Sequence, residues 1–305
     1  MIAWGGYTPT PTYRLRLVDG RRAFFKAINP TANEFARAAH RREERVYQEL
    51  GSLIGPWAPA FYGAFECDAW QVLLLEDLGP KSAPPWTVAL IRQVARAYGD
   101  FHLATLGRPI PSWVPRIERN RVTPSSLEWL TGPDALGRTA RLVDGDTEKM
   151  AAMRWFESTM PTLAQAARSR EAVGPPYAFL HRDTRSDNLR WTHGRLRLVD
   201  WPHVAVGSLE EDAAAFAQSV AAEDGPQPEQ VMAWYAERAP VRPLVLDAEV
   251  ADLAVYFADQ AWRPDIPGLP RLRAFQRRQL HITLAWAARR LHLPPPPWLR
   301  SDQSG

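Results

Sequence analysis

Residues 181–201 read HRDTRSDNLRWTHGRLRLVDW, and the fold of the chain turns on this stretch. Leu189 and Trp191 alternate with Arg190, His193-Gly194 supplies a turn, and Leu196 and Leu198 alternate with Arg195 and Arg197. Alternation on both sides of a two-residue turn predicts a β-hairpin. Asp183 and Asn188 stand before its first strand and Asp200 just after its second, so closing the hairpin makes Asn188 and Asp200 neighbours. Acidic groups and an amide gathered at one point repel unless a cation joins them. Hard oxygen ligands, without Cys or several His, indicate Mg2+, which binds through one or two carboxylates plus substrate phosphates. Asp183 is then placed to accept a proton from an attacking hydroxyl, and Arg185 to neutralise a transferring phosphoryl group.

The pattern H-x-D-x-x-x-x-N, followed by an aspartate after a hairpin, resembles the catalytic segment of the protein-kinase-like superfamily. More closely it resembles that of aminoglycoside phosphotransferases and their choline- and homoserine-kinase relatives. The resemblance implies an α+β, bilobal, protein-kinase-like fold with a small antiparallel β-sheet lobe carrying one helix and a larger, mostly helical lobe. It implies ATP and Mg2+ as cofactors, Asp183 as the catalytic aspartate, Asn188 and Asp200 as metal ligands, and His181 as a brace for the loop. Gly207 to Asp212 keeps the family's spacing after the metal aspartate. Asp212 is expected to anchor the loop from the start of a helix capped by a Ser208–Glu211 box. Arg182 stands where the family usually has Gly, and Thr184, Arg185, Ser186 and Asp187 where Leu, His, Pro and Gly are common. Twelve residues from Asp200 to Asp212 leave no room for a long activation segment, which favours a small-molecule kinase over a protein kinase.

Upstream, Tyr13, Leu15 and Leu17 alternate with arginines, turn at Asp19-Gly20 and resume as a strand through Lys26. Thr31 and Glu34 fit a capping box for a helix reaching about Leu50. With Phe35 as the zero of a 100° helical step, Glu43 falls inside the apolar stripe, whereas Glu44 faces away. A carboxylate there calls for a cation. Lys26, one of only three lysines among 37 basic residues, is the partner expected, with Glu44 as the fallback acid. Gly5, Gly6 and Thr8, before the first strand, occupy the place of a phosphate loop although they lack G-x-G-x-x-G. Glu76 and Leu78 match the hinge at which the family binds adenine. The expected lobes are residues 1–78 and 79–305.

The 305 residues are 46% hydrophobic and 23% charged, with a formal charge of +3 and one cysteine. This is the balance of a globular chain. Basic residues interleave with acids, which gives no nucleic-acid signature, and no apolar run is long enough for a membrane span. Cys67 reads as a small buried residue in a reducing, cytoplasmic setting, and the protein as a monomer or homodimer. Helices are expected at 87–106, 147–170, 209–223, 228–238, 247–262 and 271–291. The partner is a small-molecule hydroxyl substrate, possible acceptors being an aminoglycoside, another antibiotic or a metabolite. A polycationic acceptor would prefer acids, and Glu223, Asp224, Asp247, Glu249, Asp252, Asp259 and Asp265 are available, as are Trp234, Trp262 and Trp286 for stacking. Two other readings stand beside the kinase: a nucleotide-binding pseudokinase or partner-binding domain without transfer, and a metal-dependent hydrolase using His181, Asp183 and Asp200.

Overall fold

The computed structural model describes residues 11–117, 134–143, 145–266, 269 and 271–299. The alternating arginine-rich segments pair as β1 (Thr12–Arg16) and β2 (Arg22–Ile28), with Thr12 opposite Lys26 and Arg16 opposite Arg22. Gly20 closes the turn at φ +85°, where a side chain is disfavoured. Strands β3 (Phe61–Cys67) and β4 (Trp70–Glu76) complete an antiparallel sheet in the order β1-β2-β4-β3. Helix α1 (Glu34–Glu49) crosses before β3, followed by the short α2 (Gly51–Ile54).

Two expectations fail at α1. Its N-cap is Asn33, whose side chain accepts from the Ala36 N–H; Thr31 instead bonds Asn29. Asn33 stands two residues nearer the first free N–H groups, directly before Glu34, so it forms the cap. Phe35 is exposed and lies off the buried stripe, which runs through His40, Glu43, Val46 and Tyr47. Cys67 is also exposed, at the end of β3 that turns into β4.

The remainder is mostly helical. Helix α3 (Val88–Thr105) is capped by Thr87 and buries Ile91, Val94, Tyr98 and Phe101 at helical spacing. After the short α4 (Ala135–Thr139) come α5 (Asp146–Arg168), α6 (Leu209–Ala222), α7 (Pro228–Ala236), α8 (Pro243–Ala261) and α9 (Leu272–Arg290). Embedded among them, β5 (Ala178–Leu180) pairs with β8 (Ala205–Gly207), and β6 (Leu189–Thr192) with β7 (Arg195–Leu198). Together these form a mixed α+β molecule with a small antiparallel lobe and a larger helical one. One apolar core, including Phe101, Phe179, Trp201 and Phe216, runs beneath the hairpin. No described helix is long and apolar enough to cross a membrane.

Candidate active site

The quoted hairpin closes as its alternation predicts. His193 and Gly194 both take positive φ, +50° and +70°, the backbone twist a two-residue turn between right-twisted strands requires. Leu189 pairs with Leu198, and the Val199 N–H donates to the Asn188 carbonyl at 2.9 Å, so Asn188 and Asp200 flank the hairpin's open end.

Lys26, Glu43 and Asp200 meet across the two lobes. Lys26 Nζ lies 2.6 Å from Glu43 Oε2 and 2.7 Å from Asp200 Oδ1. Burial opposes charge on the ammonium, but the two carboxylates outweigh it and hold Lys26 above its usual range. Burial likewise lifts Glu43 against the pull of Lys26, whereas Lys26 overcomes burial at Asp200 and holds it below the usual carboxylate range. Glu44 faces solvent and bonds Gln48. Two carboxylates sharing one ammonium leave a surplus negative charge, which a cation neutralises. Asn188 Nδ2 donates to the Asp183 carbonyl at 3.1 Å, leaving its oxygen as the atom it offers a ligand. One amide oxygen and one carboxylate suit Mg2+ that keeps waters and phosphate oxygens. Among the described residues no cluster of three or more His, Cys, Asp or Glu stands ready to hold a metal.

The loop before the hairpin is held from below. His181 is fully buried; its Nε2 faces the Val199 carbonyl at 3.0 Å and its Nδ1 faces the Asp183 N–H at 3.3 Å. Those partners select the neutral tautomer protonated on Nε2. Asp212, also fully buried, accepts from the His181 N–H at 2.7 Å and the Arg182 N–H at 2.9 Å, with His102 Nε2 at 3.3 Å. Burial works to raise Asp212, but bonds from His102 and the main chain hold it below the usual carboxylate range. Ser208 makes no side-chain cap. It donates to Glu249 at 2.7 Å, and Glu211 turns to Arg182 and Arg170, because buried cations compete for that carboxylate. Asp183 is gripped by Arg185, Nε to Oδ1 at 2.8 Å, and Arg185 also reaches Asp187 at 3.5 Å.

At the junction, the Glu76 N–H is committed to the Ala60 carbonyl and its carboxylate to Arg197, at 2.8 and 2.7 Å. Leu78 follows, half-buried. Gly5, Gly6 and Thr8 lie outside the described residues.

A cavity of about 450 Å³ opens beside Asp183, lined also by Arg182, Thr184, Arg185, His203 and faces of α6, α8 and α9. None of the expected acids lines it. Glu249 and Asp252 surround Arg170, Asp259 holds Arg263, Asp247 holds Arg290, Asp224 holds Arg278, Glu223 bonds Trp86 and Ser186, and Asp265 is exposed. Trp286 is core, and Trp234 and Trp262 pack against it. Sequence reading also passed over His102 and Gln218. A glutamine inside the otherwise small and apolar run AAAFAQSVAA was the available signal for the second.

The architecture is that of protein-kinase-like small-lobe, large-lobe enzymes. Spectinomycin phosphotransferase, solved with ADP and spectinomycin, superposes with a TM-score of 0.60 at 13% identity, over 95% of this chain and 93% of that one. An aminoglycoside phosphotransferase from Alicyclobacillus acidocaldarius gives 0.55 at 14% identity, over 95% and 92%. Amicoumacin kinase, solved with AMP-PNP, Ca2+ and Ami, gives 0.52 at 12% identity, over 92% and 87%. No curated protein matches the chain. Residues 2–244 match the phosphotransferase enzyme family known as APH, and the chain belongs to that family.

Proposed function

We propose that the protein transfers the γ-phosphate of ATP to a hydroxyl of a small molecule in a Mg2+-dependent reaction. The observation that carries this reading is the convergence of Lys26 and Asp200 beside a cavity lined by Asp183. Bound Mg2+ would neutralise phosphate oxygens, held through Asn188 and Asp200. Lys26, braced by Glu43, points a cation at the phosphates. Asp183 orients the acceptor hydroxyl and takes its proton as the new O–P bond forms and the bond to the departing nucleoside diphosphate breaks. Arg185, adjacent to Asp183, supplies charge to the phosphoryl group in transit, and His181 positions the loop without touching substrate. The lobes divide between Leu78 and Gly79, with the hinge main chain at Glu76 to Leu78 beside adenine and the Gly5, Gly6 and Thr8 segment over the phosphates. Dependence on ATP places the work in the cytoplasm. Nucleotides bound in the solved spectinomycin and amicoumacin enzymes support the choice of donor.

Asp183→Asn is expected to lower ADP release with a panel of alcohol acceptors by ~10²- to 10⁴-fold, the range of general-base contributions, while affinity for a fluorescent ATP analogue stays the same. ADP release undiminished in the variant would refute the assignment. Nucleotide binding with no acceptor-dependent ADP release in the unaltered protein would identify a pseudokinase instead.

A further inference from the structure

The cavity beside Asp183 falls within the range of small-molecule sites, about 300–1,000 Å³. Its walls are apolar or neutral: Leu253 and Phe257 from α8, Phe275 from α9, and the amides of Gln218, Gln276 and Gln279. Among the described residues its charged lining consists of Arg182, Arg185 and Asp183, and the carboxylate of Asp183 is already bonded to Arg185. An ammonium group moved from water into these walls would find two guanidiniums and no carboxylate of its own, an unfavourable burial of charge.

Gln218 adds a second, independent observation. It is 3% exposed, and its Nε2 donates to the Ala215 carbonyl at 3.1 Å. That bond sets the amide orientation, since the reversed amide would place oxygen against oxygen. Its Oε1 is left buried without a hydrogen-bond partner among the described residues, on a residue that lines the cavity. An unmet buried acceptor is destabilising, and a hydroxyl or N–H donor on a ligand would satisfy it.

We infer that the acceptor is a non-cationic hydroxylated compound with an apolar, ring-bearing body, oriented by a hydrogen bond donated to Gln218 Oε1, and that polycationic aminoglycosides are not its substrates. This deepens the phosphotransferase reading and rests on it for the word acceptor. The preference of the cavity itself is measurable without nucleotide.

The probe is 8-anilinonaphthalene-1-sulfonate, an anion with an aromatic body and one N–H, titrated into the intact protein and followed by fluorescence. Expected is saturable binding at one site that millimolar kanamycin does not displace. Leu253→Trp, which fills the cavity, should abolish it, and Ala215→Leu serves the same purpose should the tryptophan variant unfold. Gln218→Met should weaken binding about tenfold, the equivalent of one lost hydrogen bond. Displacement by kanamycin, absence of a saturable site, persistence of the site in the folded filled-cavity variant, or an unchanged affinity in Gln218→Met would each overturn the inference. Failure of phosphoryl transfer would show in the Asp183→Asn experiment and leave this binding result standing, so the two readings fail separately.

Discussion

Lys26 joins a strand, a helix and the hairpin's end through one ammonium, so under the proposed function its loss is expected to act on stability and on nucleotide binding together. Lys26→Met leaves Glu43, 1% exposed, without its cation, and removing one partner from a buried ion pair costs about 3–5 kcal/mol. Urea unfolding should show that loss, and Lys26→Met combined with Glu43→Leu should regain most of it. Affinity for a fluorescent ATP analogue should stay low in both variants, which separates the ion pair's structural part from the lysine's reach toward phosphate. Arg182 shows a different economy. It holds a left-handed φ of +63°, a conformation costing a non-glycine residue of order 1 kcal/mol, where the family usually has Gly. Its N–H bond to Asp212 and its guanidinium bond to Glu211 offset that cost.

Helix α6 is the element that sets the height of the loop carrying Asp183. Asp212 lies in its first turns, where free N–H groups favour a carboxylate, and its two oxygens take the main-chain N–H groups of His181 and Arg182. Asp212→Ala strands the fully buried His181 N–H and the partly buried Arg182 N–H, at about 1–3 kcal/mol each. The variant is expected to lose about 3–5 kcal/mol in urea unfolding, and its ADP release should fall because Asp183 follows the displaced loop. Most elements were legible from the chain. The alternation of β1 and β2 and the 3.6-residue spacing of α3 are local patterns, and the structure returns them within a few residues. The caps were less legible. Ser208 and Glu211 have the spacing of a capping box, yet buried Glu249, Arg170 and Arg182, all distant in sequence, claim their side chains.

At the scale of the whole molecule, Arg170 gathers Glu211, Glu249 and Asp252 from two helices, with Arg182, next to Asp183, on Glu211. Among the described residues of this group, three carboxylates share two guanidiniums. Burial, aided by the neighbouring acids and resisted by Arg170, pushes Glu249 up to about 7 from 4.5. The folded protein therefore binds this proton more tightly than the unfolded chain. The stabilisation is fully present below pH 4.5 and is lost as pH rises through about 7, a span worth about 3 kcal/mol. Urea unfolding across pH 4.5–8 should show that fall superimposed on the other titrations. Glu249→Gln should remove it while keeping an oxygen for Ser208, and an unaltered pH slope in that variant would refute the assignment.

The chain alone determined the hairpin and the crowding of Asp183, Asn188 and Asp200 around it, because a turn and two alternating strands bring residues less than twenty apart together whatever surrounds them. It also determined that Glu43 needed a cation, since a carboxylate inside an apolar stripe is costly unless paired. Tertiary structure decided what lies beyond reach of a local period. The acids of the helical lobe look available to a cationic ligand in sequence, but Arg170, Arg263, Arg278 and Arg290 occupy many of them. Cavity walls are chosen by helices α6, α8 and α9 packing against one another, and neutral amides and aromatic rings fill that place. Charge pairing across long separations follows desolvation, which depends on the packed neighbours and leaves no repeating mark along the chain.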